Sequence, residues 1–240
     1  MSSVLVVLPV RNESSTAVRT AEEVCSFSRS HANYRFLVVD DASSDETADL
    51  FDRAFENESS ASVLRLTHNR GKGGAVEAGF AGAKEDFLIF TDGDMAYPFS
   101  LLPNLVEALE ENDVVIGSRG NARGDNNGIN KRRVFLGQGF NRLVCLLMGF
   151  NHPDTQAGIK GFRKEAAQFL FKHSIIRSFC FDVELLYLAK KAGLRVREIP
   201  VQTSSVHNYT RSKVRLMLDS LKMFGDLLRI LWRDGRGGYG

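Results

Sequence analysis

Four apolar, β-prone runs mark the amino-terminal part of the chain, and each breaks off into turn formers and charges. Val4–Leu8 runs into Pro9-Val10-Arg11-Asn12-Glu13, and Phe36–Val39 into Asp40-Asp41-Ala42-Ser43-Ser44-Asp45. Val63–Leu66 precedes His68-Asn69-Arg70-Gly71-Lys72-Gly73-Gly74, and Leu88-Ile89-Phe90-Thr91 ends in Asp92-Gly93-Asp94. Helix-like segments separate the runs. This alternation predicts right-handed βαβ crossovers and an α/β, mostly parallel sheet covered on both faces, whose strands are continuously apolar. Ligands bind such sheets at the carboxyl ends of the strands. All four polar clusters are therefore expected on one rim. Val114-Val115-Ile116 and Val196–Val201 read as further strands.

The period changes near the end of the chain. Arg215, Asp219, Lys222, Asp226, Arg229 and Arg233 recur at intervals of four and three, which marks one narrow polar stripe on a helix of about 20 residues and about 30 Å. Two readings of its wide apolar face stay open. Either it packs against the domain or a partner subunit, or it lies along a membrane interface with Trp232 at headgroup depth. The glycine-rich stretch from Arg236 to Gly240 reads as a disordered tail.

A chain of 240 residues, 43% hydrophobic and 25% charged, suits one α/β domain with an extension. The expected division is one domain over 1–204, in two halves, 1–118 and 119–204. A loop, a helix and a tail follow over 205–240. A net charge of +2 gives no ground for a nucleic-acid partner. Cys25, Cys145 and Cys180 are odd in number and lack metal-ligand spacing, as expected of small core side chains in a reducing compartment. With no room for a signal peptide before the first strand and no run of about 18 apolar residues, no transmembrane span is expected. The expected location is cytoplasmic, at most peripheral to a membrane.

Residues two apart in a strand point the same way, and Gly93 permits a sharp turn, so Asp92 and Asp94 can approach one nucleotide-bound divalent cation. Asp-Gly-Asp is also an ordinary surface turn. Its place at the end of a buried strand on the shared rim favours the metal. Gly71-Lys72-Gly73-Gly74-Ala75 fits neither the dinucleotide nor the P-loop signature. Its missing side chains instead let backbone amides and the Lys72 ammonium approach a ligand. Between Arg119 and Arg142 stand Arg119, Arg123, Lys131, Arg132, Arg133 and Arg142 against Asp125 alone, a local net of +5. Guanidinium forks match phosphate oxygens. Arg119, just beyond a strand and on the common rim, is the first candidate for an acceptor phosphate, and Arg132 or Arg133 the second.

Taken in order, Leu8-Pro9-Val10-Arg11-Asn12-Glu13, the Asp40–Asp45 turn, Asn69–Ala75, Asp92-Gly93-Asp94 and Gly117-Ser118-Arg119 resemble the inverting family 2 glycosyltransferases. Asp154-Thr155-Gln156-Ala157-Gly158-Ile159-Lys160-Gly161-Phe162 and Phe181–Leu186 are similar to the polyprenyl-phosphate branch, which includes dolichyl-phosphate β-glucosyltransferases and dolichol-phosphate mannose synthases. The resemblance runs to about Trp232. It implies a GT-A catalytic domain over 1–204 with a nucleotide-sugar half over 1–118 and an acceptor half over 119–204, a nucleotide diphosphate sugar donor, Mg²⁺ or Mn²⁺, and a lipid-linked phosphate acceptor. Carried onto these positions, it implies that Pro9, Arg11 and Glu13 border the nucleoside, Asp41 faces the base and Lys72 lines the nucleotide pocket. Asp92 and Asp94 would serve the ribose-diphosphate and the metal, with Asp94 the direct ligand. The stretch holding His207, Arg211 and Lys213 would fold over the phosphates, which adds Arg211 and Lys213 to the acceptor set.

The acceptor decides the catalytic requirement. A phosphate monoester, with a second pKa of about 6, is already anionic and needs no obligatory base. A sugar hydroxyl would need a positioned carboxylate, and Asp154 or Asp182 is then the candidate. The expected reaction is single displacement with inversion, from UDP-glucose first and GDP-mannose second, onto dolichyl or polyprenyl phosphate. The alternatives are a sugar-hydroxyl acceptor and a non-catalytic nucleotide-sugar binding protein.

Overall fold

A computed structural model describes residues 2–119, 141–142, 144–150, 154–155, 157–178, 180–203 and 216–239. The strands are β1 (Val4–Val10), β2 (Tyr34–Asp40), β3 (Ala61–Arg65), β4 (Phe87–Thr91), β5 (Val114–Ser118), β6 (Ile159–Arg163) and β7 (Val196–Pro200). The helices that bear on the site are α1 (Ser14–Ser30), α2 (Thr47–Phe55), α3 (Gly71–Phe80), α4 (Leu102–Leu109), α5 (Lys164–His173), α6 (Phe181–Lys191) and α7 (Leu216–Gly235).

The strands form one sheet in the order β3-β2-β1-β4-β6-β5-β7. The first four are mutually parallel, as are β5 and β7, while β6 runs antiparallel to both its neighbours. The order in which strands are added reverses at β1, since β2 lies on one side of it and β4 on the other. The crevice above β1 and β4 is thus the topological switch point at which sheets of this kind take ligands. Because β6 is antiparallel, it delivers the residues just before Ile159 to the same rim.

Successive residues of β1 point to opposite layers, as strand geometry requires. Leu5 and Val7 join Leu88, Phe90 and the inner faces of α3, α5, α6 and α7, whereas Val4, Val6 and Leu8 join Phe36, Ile89 and the inner faces of α1, α2 and α4. Each such aliphatic side chain, fully buried, contributes about 1.5–3 kcal/mol. The rim loops after β1 and β4 are therefore mounted on strands that are dry on both sides.

Two expectations at the end of the chain are corrected. Leu227 and Ile230 are buried in the core while Phe224, Leu228 and Trp232 are 41, 49 and 61% exposed, so the apolar face is split between the domain and the outside. Asp226 of the supposed polar stripe is buried and accepts a hydrogen bond from Ser178 Oγ at 2.5 Å. The tail expected to be disordered instead turns back at residues 236–239 and buries Tyr239. Among the described residues no helix is long and apolar enough to cross a membrane. The three cysteines are free, with Cys180 buried.

Candidate active site

Among the described residues, three other than glycine adopt left-handed backbone angles, Asn12 (φ 53°), Ala42 (φ 55°) and Met95 (φ 59°). They follow β1, β2 and β4 respectively, on the same rim. Asparagine tolerates this region, but for alanine and methionine it costs roughly 1–2 kcal/mol each. Strain gathered at the switch point of a sheet marks a surface built for more than stability.

The loops interlock to hold these shapes. Asn12 Oδ1 accepts the Ser44 N–H at 2.8 Å, Asn12 N–H donates to Ser43 Oγ at 2.9 Å, and Glu13 N–H donates to Thr47 Oγ1 at 2.8 Å. Asp40 Oδ2 accepts the Ser43 N–H at 3.1 Å. Asp41, expected to face the base, is buried and accepts the N–H groups of Arg70 (2.6 Å) and Gly71 (3.0 Å). It ties the β2 loop to the amino end of α3. Arg11 is exposed and Glu13 half-buried in the loop after β1.

The acid pair sits at the centre of this rim. Thr20 Oγ1 donates to Gly93 O at 3.1 Å, and a Cβ on Gly93 would fall 2.4 Å from Val10 Cγ1 and 3.1 Å from Pro9 O. The turn between the acids therefore admits no side chain. Asp92 Oδ1 receives the Lys72 ammonium at 2.6 Å, and Asp92 Oδ2 packs against Gly158, where a Cβ would lie 1.8 Å away. Burial works against the charge on Lys72, but Asp92 and then Asp182 hold its pKa above that of an ordinary lysine. The lysine stays cationic. Asp94 Oδ1 accepts the Ala96 N–H at 3.1 Å, which orients the second carboxylate. Tyr97 Oη accepts the Gly158 N–H at 3.2 Å, and burial pushes that hydroxyl up to about 12.

An oxygen-only pair of carboxylates suits Mg²⁺ or Mn²⁺, which draw their remaining ligands from phosphates and water. Of the two, Asp92 has one oxygen on Lys72, and Asp94 has one on the Ala96 N–H. Among the described residues there is no cluster of three or more His, Cys, Asp or Glu that could hold a metal unaided.

Arg119 grips Asp154. Its Nε donates at 2.6 Å and its terminal Nη2 at 2.8 Å to the two carboxylate oxygens, and its backbone N–H adds a bond of 3.1 Å. Burial works to raise Asp154, yet the Arg119 fork outweighs it and holds the carboxyl below the usual range. Beneath the rim, Lys160 and Asp182 are buried, with Nζ 3.2 Å from Oδ1. This is an ion pair without hydrogen-bond alignment, since the lysine donates instead to Ala157 O at 2.7 Å. Burial pushes Lys160 down and Asp182 up.

The structure thus brings Pro9, Lys72, Asp92, Asp94, Arg119 and Asp154 to one rim. Arg132, Arg133, Arg211 and Lys213 lie outside the described residues. Sequence reasoning assigned no role to Tyr97, Gly158 or Lys160. For Gly158 and Lys160 a signal existed, because both stand in the Asp154–Phe162 motif and neither a glycine nor a lysine is expected inside a buried strand or at its start.

An α/β sheet with an acid pair, a lysine and a glycine-tight turn at its switch point can hold a phosphate-bearing ligand and a divalent cation together. The glycosyl transferase family 2 profile matches residues 5–171, and the chain belongs to that family. It is 33% identical over 211 residues to the dolichyl-phosphate beta-glucosyltransferase of Dictyostelium discoideum, covering 84% of this chain and 63% of that protein. To the yeast Saccharomyces cerevisiae protein of that name it is 30% identical, covering 94% and 73%. To the Homo sapiens one it is also 30% identical, covering 95% and 74%. In fold it matches a Mycobacterium tuberculosis glucosyl-3-phosphoglycerate synthase crystallised with Mn²⁺, UDP-glucose and phosphoglyceric acid, with a TM-score of 0.70, 20% identity, and coverage of 95% of this chain and 79% of that one. The chain is a hexosyltransferase.

Proposed function

We propose that this chain transfers glucose from UDP-glucose to dolichyl or polyprenyl phosphate with inversion, assisted by Mg²⁺ or Mn²⁺. One observation carries the choice of acceptor: both carboxylates that could serve as a base are unavailable. Asp154 is locked in the Arg119 fork with its proton affinity lowered, and Asp182 lies buried against Lys160. An acceptor that arrives already ionised needs neither.

In this reading the acceptor phosphate oxygen bonds to the anomeric carbon as the bond to UDP breaks on the opposite face. Lys72 stands beside the departing diphosphate and neutralises part of its charge. A cation held by Asp94, with Asp92 behind it, supplies the rest when bound. Pro9, Arg11, Glu13 and Asp41 shape the nucleoside end. Arg119, with Arg132, Arg133, Arg211 and Lys213, supplies positive charge to the acceptor side. The relatives' name supports glucose over GDP-mannose, which stays the second donor. Incubation with labelled UDP-glucose or GDP-mannose, polyprenyl phosphate and Mn²⁺, followed by organic extraction, tests this. Label in the organic phase from UDP-glucose alone is expected, and none from either donor would reject the lipid acceptor.

The outward stripe of Phe224, Leu228 and Trp232, with exposed Lys222, Arg229 and Arg236 beside it, supports peripheral attachment to the cytoplasmic face of an anionic membrane. Truncating α7 would also remove Leu227 and Ile230 from the core. The cleaner test replaces Phe224, Leu228 and Trp232 together with Ser. Flotation with anionic liposomes should fall sharply, and unchanged recovery would reject membrane attachment through this helix.

A further inference from the structure

The segment 174–178, which follows α5, fixes the amino end of α3. Arg177 O accepts the Gly73 N–H at 3.0 Å. A Cβ on Gly71 would fall 2.5 Å from that same oxygen, and one on Gly73 would fall 2.7 Å from Phe181 Cβ. Arg177 Nη2 donates to Glu77 Oε1 at 2.6 Å. Lys72 stands between these two glycines, so the segment sets where its side chain leaves the backbone.

What holds the segment lies away from the rim. Glu184, fully buried, accepts the Ile175 N–H at 3.0 and 2.9 Å and the Ile176 N–H at 2.7 Å. Its Oε1 also receives the hydroxyl of Tyr239, from the turn after α7. From α7 itself, Asp226 Oδ2 accepts Ser178 Oγ–H, and Ser178 Oγ accepts the Cys180 N–H at 3.2 Å. Buried carboxylates depend on every donor they have, because no water replaces a lost one.

We infer that Tyr239 is a positioning residue for the donor site. Its hydroxyl orients Glu184, Glu184 holds residues 175 and 176, and the Arg177 carbonyl then holds the turn that presents Lys72. The inference rests on the donor-site reading above, and it gives the stretch after α7 a part in donor binding that no motif assigns to it.

Tyr239→Phe removes one oxygen and keeps the ring. Tyr187→Phe is the control, since its hydroxyl bonds Asp234 Oδ2 at 2.7 Å, between α6 and α7, where that of Tyr239 bonds Glu184. Asp226→Asn weakens the segment from its other side and serves as a second probe should Tyr239→Phe fold poorly. Amide exchange of the ligand-free proteins and calorimetric titration with UDP and Mn²⁺ are the readouts. We expect Gly73 and Ile176 to exchange about tenfold faster in Tyr239→Phe and Asp226→Asn, with UDP affinity several-fold weaker and both unchanged in Tyr187→Phe. Unchanged Gly73 exchange in Tyr239→Phe and Asp226→Asn, or an equal change in Tyr187→Phe, overturns the inference. If the wild type binds no UDP while Gly73 exchange still responds to Tyr239→Phe and not to Tyr187→Phe, the coupling stands and the donor-site reading falls.

Discussion

Gly158→Ala is a one-carbon perturbation aimed at a single carboxylate. The new Cβ would fall 1.8 Å from Asp92 Oδ2, 2.5 Å from Cγ and 2.9 Å from Oδ1. Carbon and oxygen approach no nearer than about 3.3 Å, so the carboxylate has to retreat by about 1.5 Å. Its nearest neighbours are side-chain atoms and not backbone, and Asp92 is therefore what gives way. The 2.6 Å bond to Lys72 is broken or dragged along. Displacing a catalytic group by about 1 Å costs about 100-fold, equivalent to about 2.7 kcal/mol of transition-state stabilisation. Steady-state kinetics should show kcat/KM for sugar transfer reduced by about that factor. The thermal midpoint should fall by only about 2–4 °C, the equivalent of about 1 kcal/mol. A kcat/KM within twofold of wild type would refute the reasoning, because it would mean that the position of Asp92 is immaterial.

The charged pairs below the rim make further predictions. Arg119→Gln strands a buried carboxylate and should cost roughly 3 kcal/mol at neutral pH. Because the Asp154 pKa is depressed in the folded protein, its stabilisation is complete above the ordinary value of about 3.9 and is lost as pH falls through the lower folded value. Urea titrations should therefore show the gap between wild type and Arg119→Gln closing on acidification, and a gap that stays constant would contradict the assignment. Lys160→Met should cost about 3–5 kcal/mol, most of it recovered in Lys160→Met/Asp182→Leu, since an apolar pair replaces a buried ionic one at little cost. A double variant as unstable in denaturant as the single one would show that burial of charge is not the cause.

The parallel half of the sheet was legible because strands dry on both faces leave uninterrupted apolar runs, and because β1 to β4 each end in a polar cluster. The acid pair was legible for the same reason, as the terminus of the run that ends at Thr91. β6 was not read as a strand. Ile159-Lys160-Gly161-Phe162 carries a lysine and a glycine that only tertiary partners explain, Lys160 by Asp182 and Ala157 O, and Gly161 by the close approach of Leu109 and Ile89. The fork between Arg119 and Asp154 joins residues 35 apart, beyond any local pattern. The sequence therefore offers Arg119 as a phosphate contact and says nothing of the acid that its side chain also holds.

The helix near the end of the chain shows a different limit. A wide apolar face says that much must be covered but not which side meets the domain. Leu227 and Ile230 turned inward, and Leu228 and Trp232 outward, although all four belong to the same apolar set. Tyr239 stood among glycines with no periodicity to place it, and its burial depends on the distant Glu184. In both cases the information lies in complementarity with a surface assembled from elsewhere in the chain.

The central claim is that Asp92 and Asp94 hold a cation against the donor's diphosphate at the switch point of the sheet. A crystal grown with UDP and Mn²⁺, with the metal located by its anomalous scattering, tests it most directly. A single Mn²⁺ coordinated by an Asp94 oxygen and by the diphosphate is expected, with Lys72 alongside. A manganese ion and nucleotide bound elsewhere, with both aspartates remote from them, would contradict it.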